Sequence, residues 1–381
     1  MSGLTAFAAG RQLVAEALSS LGQEIAELDR PGKRARLCLM ASLSVALSVT
    51  AALALRLDNP WWAGISGFVS LQATRPGSIT RGILRITGTA VGASLGLATA
   101  PWLVYDHLAC CIALCLFTTA GILGIMLSRY GYAWLFAGIT AVMVLIMSLD
   151  NPAVALTVAF YRTAEVVVGT VAALIIVSLL APDEGLTTSP MPLGWTDLLG
   201  ARWPVVLHAL RSGIAVALLP PIWNWLQLPS LSQVAVTVTA VVAIPSLAAD
   251  PLSGGRLVAT RGLHRLLGCF FGGLAGLAAL ALSLGEFLPW LAALAAGVWI
   301  GTHVQASERG VGYAGIQGTV AFIMTLVQGA APPQSIMPGI DRFVGIMCGI
   351  TVLLVISLLL WPSADASGAR HAGASIAPAG H

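Results

Sequence analysis

Thr80–Leu97, TRGILRITGTAVGASLGL, returns 180 residues later as Thr260–Leu277, TRGLHRLLGCFFGGLAGL. Thr80, Arg81, Gly82, Arg85, Gly88, Gly92, Gly96 and Leu97 each meet the identical residue in the second copy. At about 100° per residue, the arginine pair and the three glycines of each copy fall on one helical face. Each copy is therefore a helix with a charged mouth and a side-chain-free stripe beneath it. Gly88, Gly92 and Gly96, and likewise Gly268, Gly272 and Gly276, let a second backbone approach closely. Two such helices at matching positions mark a duplicated chain.

The surroundings say in which solvent it folds. Hydrophobic residues are 57% of the chain and charged residues 9%, against about a quarter charged in a soluble domain. Length is then best counted in apolar spans of about 20 residues. No Gly-rich phosphate loop follows a strand-like run and no basic patch sits on a soluble face, which excludes nucleic-acid binding. The six cysteines lie in apolar runs and read as small hydrophobes. His107, Cys111 and Cys115 share a face, but no second helix offers the further ligands a metal needs, so packing is the preferred reading. Neither a metal nor a cofactor is expected. The N-terminal segment has no short apolar core, so no cleaved signal peptide is expected.

Residues 1–34 predict a cytoplasmic amphipathic helix, with Leu4, Phe7, Val14, Leu18, Leu21, Ile25 and Leu28 at three- and four-residue spacing. A helix lying on the membrane surface is favoured over a self-association seam, which needs more unbroken heptads. Six spans follow near 36–57, 60–74, 81–103, 107–127, 131–149 and 157–181. Six more lie near 206–226, 230–249, 261–284, 287–304, 312–330 and 341–361. The stretches at 60–74 and 230–249 are short or broken by Pro245, which leaves open ten or eleven crossings with re-entrant segments. The repeat extends beyond the glycine helix. Arg162, Gly169 and Pro182 meet Arg342, Gly349 and Pro362 at the same offset, and Gly131-Tyr132-Ala133 meets Gly312-Tyr313-Ala314 at 181. A looser pair is Arg36 with Arg211.

The expected fold is an all-α polytopic membrane protein of about twelve transmembrane helices. It forms two parallel six-helix repeats, 35–182 and 204–362, related by a pseudo-twofold axis along the membrane normal. A cytoplasmic linker, 183–203, joins them, and 363–381 is a disordered cytoplasmic tail. With the N-terminus inside, sixteen of the nineteen Lys and Arg residues face the cytoplasm and only Arg56, Arg162 and Arg342 lie outside.

Charges inside spans are functional candidates. Arg162 and Arg342 hold matched outer positions against the positive-inside bias. An arginine fork matches a carboxylate, so the two predict an anion-binding ring, set against snorkelling or pairing with Glu165 and Asp341. Arg81, Arg85, Arg261 and Arg265 form the inner mouth, either anchoring headgroups or making a basic vestibule that concentrates anions. Glu165, whose repeat partner is Gly345, and His264, which replaces Leu84, are the proton-coupling candidates.

Arg36, Pro60-Trp61-Trp62-Ala63, Leu71-Gln72 and Arg81–Gly92 together resemble the fusaric-acid-resistance (FUSC) superfamily. The resemblance covers most of the membrane region and is clearest in the first half. It implies kinship with bacterial inner-membrane aromatic-acid exporters and similarity to the plant aluminium-activated malate channels. In those channels six-helix subunits pair around an anion pathway. It also implies a periplasmic adaptor protein as a partner, although the chain departs from the larger exporters in lacking a sizeable cytoplasmic domain after span six. The function expected is export of small organic anions, aromatic carboxylic acids foremost, between the two repeats, with proton coupling. The alternatives are a passive anion channel and a non-transporting scaffold subunit. A membrane enzyme would need clustered His, Asp or Glu in the spans, and the sequence has no such cluster. The oligomeric state is not legible.

Overall fold

A computed structural model describes residues 2–28, 33–149, 151–183, 194–200, 202–226, 254–282 and 285–329, and scattered positions between 335 and 355. Among these residues the chain is helical, without strands. The helices are α1 (Ser2–Ala26), α2 (Lys33–Ala54), α3 (Pro60–Ser70), α4 (Arg75–Leu103), α5 (His107–Leu127), α6 (Gly131–Met147) and α7 (Ala155–Leu180). They continue as α8 (Trp203–Ala217), α9 (Leu219–Leu226), α10 (Gly254–Leu282), α11 (Phe287–Gln305) and α12 (Gly312–Leu326). Seven helical stretches are long and apolar enough to cross a membrane, which makes this a multi-pass membrane protein. The predicted span at 230–249 lies outside the described residues, as does nearly all of 341–361.

Two predicted spans are not spans of ordinary length. α3 has 11 residues, about 16 Å of rise against a hydrocarbon core of about 30 Å. Pro60 opens it, and at Leu71 the backbone turns extended (φ −72°, ψ 134°). α4 then starts at Arg75, six residues before the predicted 81, because Pro76 suits a first helical turn. Arg75 is tied to the end of α7 by an ion pair to Asp183 at 3.0 Å. α6 is also short, and every residue from Gly138 to Ile146 is buried. It is a central helix wrapped by protein, which explains its lack of a polar face.

The glycine stripes do what their spacing predicts. A Cβ at Gly88 would run into the Ala133 carbonyl oxygen, one at Gly92 into that of Ala137, and one at Gly96 into Val144. In the second copy Gly268 meets the Ala314 carbonyl, Gly272 that of Gly318, and Gly276 meets Thr325. Each partner is shifted by 181. The α4–α6 contact is thus repeated residue for residue as α10–α12.

The halves are joined by exchanging their first helices. α2 packs on α11, where Ser42 Oγ donates to the Ala295 carbonyl at 2.8 Å. α8 packs on α5, the counterpart of α11, where Gly213 faces the Cys115 carbonyl and Thr119 Oγ1 donates to the Ala209 carbonyl. Ala295 and Cys115 are 180 apart in sequence, so the contact recurs at matching positions of α11 and α5. It pairs Ser42 with Gly213 and thereby Met40 with Arg211, correcting the looser pairing of Arg36 with Arg211. Cys115 packs against Gly213 here. The two cores follow the exchange. One joins α8 and α9 to α4–α7, and the other joins α2 and α3 to α10–α12.

α1 is more than a surface helix. Glu24, fully buried, takes Arg34 at the start of α2 and Arg309 in the α11–α12 turn, which pins the N-terminal helix to both halves.

Gly92→Val is expected to lower stability by about 2 kcal/mol or more, since the backbone of α6 cannot yield to it. Gly22→Ala, in α1 where nothing lies within 4 Å of the added methyl, should be neutral or gain up to about 1 kcal/mol. Denaturant titration in micelles measures both. Equal midpoints for Gly92→Val and wild type would mean that close backbone approach does not hold α4 to α6.

Candidate functional site

The site is built around the short helix α3. Trp62, Ser66 and Ser70 recur every four residues and so line one face. That face meets α7 and α4. Gly169 of α7 leaves room for the Ala63 carbonyl and Ser66, and Ser70 and Thr170 hydroxyls lie 3.3 Å apart. From α2, Ser44 Oγ donates to the Gly67 carbonyl and Ser48 Oγ reaches that of Gly169. Small residues and hydroxyls therefore let three helices close on α3 while keeping buried oxygens paired.

At the start of α3, Arg162 of α7 lies with its guanidinium carbon 3.1 Å from the centre of the Trp62 ring. Only 3% of Arg162 is exposed. Its Nε and one terminal nitrogen, Nη1, have no hydrogen-bond partner. Glu165, one turn along and equally buried, accepts instead from the backbone N–H of Asn59 at 2.9 Å. Asn59 Oδ1 in turn accepts from Trp61 Nε1. Arg162 thus neither snorkels to headgroups nor makes a close ion pair with Glu165. A buried guanidinium normally finds such a pair.

Arg85 enters from α4, one turn further down α3. Nη2 donates to Ser66 Oγ at 3.1 Å and Nη1 to the Tyr132 hydroxyl at 3.4 Å. Its guanidinium also lies 4.1 Å from the centre of the Phe136 ring, and its Nε is unpaired. Along α3, Ser66 and Trp62 are about 6 Å apart in rise. Two desolvated guanidinium groups thus flank a stretch of helix shorter than one organic acid with its ring.

The predicted inner mouth divides in two. Arg81 and Arg261, half-buried, lie over the rings of Tyr132 and Tyr313 at 4.5 and 4.0 Å. Arg85 and Arg265 are one turn deeper and buried, so they do not line an open vestibule. Arg265 donates to Gln317 Oε1 at 2.6 Å. Gln317 stands where Phe136 stands in the first half, offset by 181, so the second copy answers its arginine with an amide where the first uses a ring. His264 sits half-buried on α10, directly before Arg265. Arg342 lies outside the described residues.

Ser66 and Ser70 were not singled out from the sequence, and Trp62 and Tyr132 were noted only as motif and repeat residues. A serine spacing of four beginning at Trp62, just ahead of an extended Leu-Gln, was the available signal. It is legible only once the stretch is known to be a helix.

Arg162, Arg85, Trp62 and Glu165 all fall within one matched segment. The Fusaric acid resistance protein family matches residues 36–189. No curated protein and no solved structure matches the chain. The family's members are transport proteins and not enzymes, and a transport-related function agrees with a multi-pass chain that buries charge around a broken helix. That family match takes in every residue placed at the site so far and covers less than half of the chain.

Proposed function

We propose that this protein exports small organic anions, aromatic carboxylic acids foremost, across the bacterial inner membrane. The path runs beside α3, between two parallel repeats related by an axis along the membrane normal. The observation that carries this reading is Arg162, buried against Trp62 with donors unpaired. A planar fork in low dielectric is a strong seat for a carboxylate, and the indole beside it offers an apolar wall to a ring. Arg85 supplies a second positive charge one turn away, and Arg342 is assigned the matching place in the second repeat. Irregular backbone at membrane depth is tolerated where it is enclosed by protein or lines a cavity, and both ends of α3 are of this kind. The charge distribution supports cytoplasmic N- and C-termini. A periplasmic adaptor is the partner that the family resemblance suggests.

Glu165 is the candidate for proton coupling. A passive anion channel is the second reading, and the bond from Asn59 N–H to Glu165 favours it, because a carboxylate fixed to backbone suits structure better than proton carriage.

In proteoliposomes loaded with benzoate, Arg162→Ala is expected to lower efflux roughly ten- to hundredfold, the equivalent of losing a charged hydrogen bond of about 1.5–3 kcal/mol. Arg162→Lys should recover only part of it, lacking the fork. Unchanged efflux in Arg162→Ala would overturn the site. With an imposed pH gradient, Glu165→Gln should abolish gradient-driven accumulation while leaving downhill efflux measurable. Single-channel conductance indifferent to the gradient in the wild type would decide for the channel.

A further inference from the structure

Glu24 is the one carboxylate among the described residues on which four polar side chains from elsewhere in the chain converge. Arg34 Nη1 lies 3.0 Å from Oε2 and His303 Nε2 3.7 Å from the same oxygen. Ser307 Oγ donates to Oε1 at 2.8 Å, and Arg309 Nη1 binds that oxygen as well. Arg309 also reaches Glu27 through its second terminal nitrogen at 2.8 Å. These groups come from three separate places: the start of α2, the end of α11 and the α11–α12 turn. Burial works to raise the pKa of Glu24, but the hydrogen bonds from Ser307 and Arg309 and the charges of Arg34 and Arg309 outweigh it. They hold the group below its ordinary 4.5, so it is an anion near neutrality.

What lies beyond Glu24 gives this cluster a second meaning. A cavity of about 200 Å³ opens between the halves, lined by Leu37, Ala41, Phe68, Gln72, Thr302 and Gln305 among others. Leu37 is one turn along α2 from Arg34, and Thr302 and Gln305 bracket His303 on α11. The cavity is smaller than the roughly 300–1,000 Å³ of a drug-sized pocket. It is apolar on the α2 and α3 sides and carries amides and a hydroxyl elsewhere. No charged side chain lines it. Arg34 and His303, next along α2 and α11 from residues that do line it, are engaged by Glu24.

We propose that Arg34, His303, Ser307 and Arg309 form a carboxylate-binding site at the cytoplasmic end of the interface between the halves, which Glu24 fills as a built-in competitor. An arriving organic carboxylate takes the place of the Glu24 side chain, with its apolar body in the cavity, and α1 is released. The proposal rests on the reading above only for the chemistry of the cargo. It assigns a separate site from Arg162, at the opposite end of the path. α1 thereby becomes a strap that opens when cargo is present and closes when it is not, by simple competition for the same two arginines.

Benzoate serves as the probe on the full chain in nanodiscs, with calorimetry for affinity and amide hydrogen exchange for α1. Glu24→Gln should bind benzoate about tenfold more tightly than the wild type, since the competitor is gone. Arg309→Ala should lose binding at this site. In the wild type, benzoate should speed exchange along α1 while chloride at the same ionic strength does not. Glu27→Gln, which removes a neighbouring charge and keeps Glu24, should retain wild-type affinity and shows whether a change in this helix is tolerated. Arg162→Ala should keep the α1 response intact, which separates this site from the one beside α3. The proposal is overturned if Glu24→Gln binds no better than wild type, if Glu27→Gln tightens binding equally, or if benzoate and chloride affect α1 alike.

Discussion

Everything in this fold depends on two backbones touching where side chains would ordinarily keep them apart. Lipid offers no hydrophobic drive for one apolar helix to seek another, so association rests on close packing and buried hydrogen bonds. Gly88, Gly92 and Gly96 bring α4 against the carbonyl row of α6, and the second copy repeats the contact. That approach also fixes what happens one turn earlier on α4. With the helices this close, Arg85 has no route to water. It lies against Phe136 and donates to Tyr132 and Ser66. The glycine stripe therefore both assembles the bundle and drives a charge into its interior.

The two glycine-striped helices carry such an arrangement each, and their arginines are answered differently. Arg265 is answered by Gln317, a full hydrogen-bond acceptor. Arg85 is answered by the face of a ring, and Arg162 beyond it keeps donors unpaired. A charge removed from water at a cost of several kcal/mol persists through folding only if something offsets it. Within the first half, part of that offset comes from Trp62 and the nearby Glu165. The unpaired donors of Arg162 are what the proposed carboxylate would satisfy.

Much of this was legible in the sequence, and unevenly so. The glycine spacing marked α4 and α10 as helices that a second backbone approaches, but did not say that α6 and α12 are the helices that do so. Glu165 was legible as lying well inside its span, whereas Arg162 read as an outer-end arginine with snorkelling as its alternative, and both are buried. What could not be read was depth. Arg81 and Arg85 differ by one turn, and a count of residues assigned both to the mouth, whereas packing on α6 buries the second. Nor could the sequence show that α3 stops at Ser70, because no Pro or Gly stands at Leu71-Gln72 to break the helix there. Exchange of α2 and α8 between the halves depends on contacts some 250 and 90 residues apart in the chain, Ser42 with Ala295 and Thr119 with Ala209. No local pattern encodes it. Glu24 went unnoticed for the same reason, its partners lying at opposite ends of the described chain.

The exchanged helix α2 connects these features mechanically. Its first turn carries Arg34, which holds Glu24. Its next two turns wall the cavity with Leu37 and Ala41. Further along, Ser44 and Ser48 grip the backbones of Gly67 in α3 and Gly169 in α7, the pair of helices that hold Arg162 against Trp62. A rigid rod of 22 residues with one end at the strap and its middle on the buried arginine site cannot tilt without disturbing both. Packed interfaces of this kind favour discrete arrangements over continuous deformation. A shift of α2 on the hydroxyl contacts of α3 and α7 is thus the motion most directly available for linking the Glu24 cluster to the Arg162 site. It would exchange a few serine hydrogen bonds while leaving the glycine contacts of α4 and α10 intact.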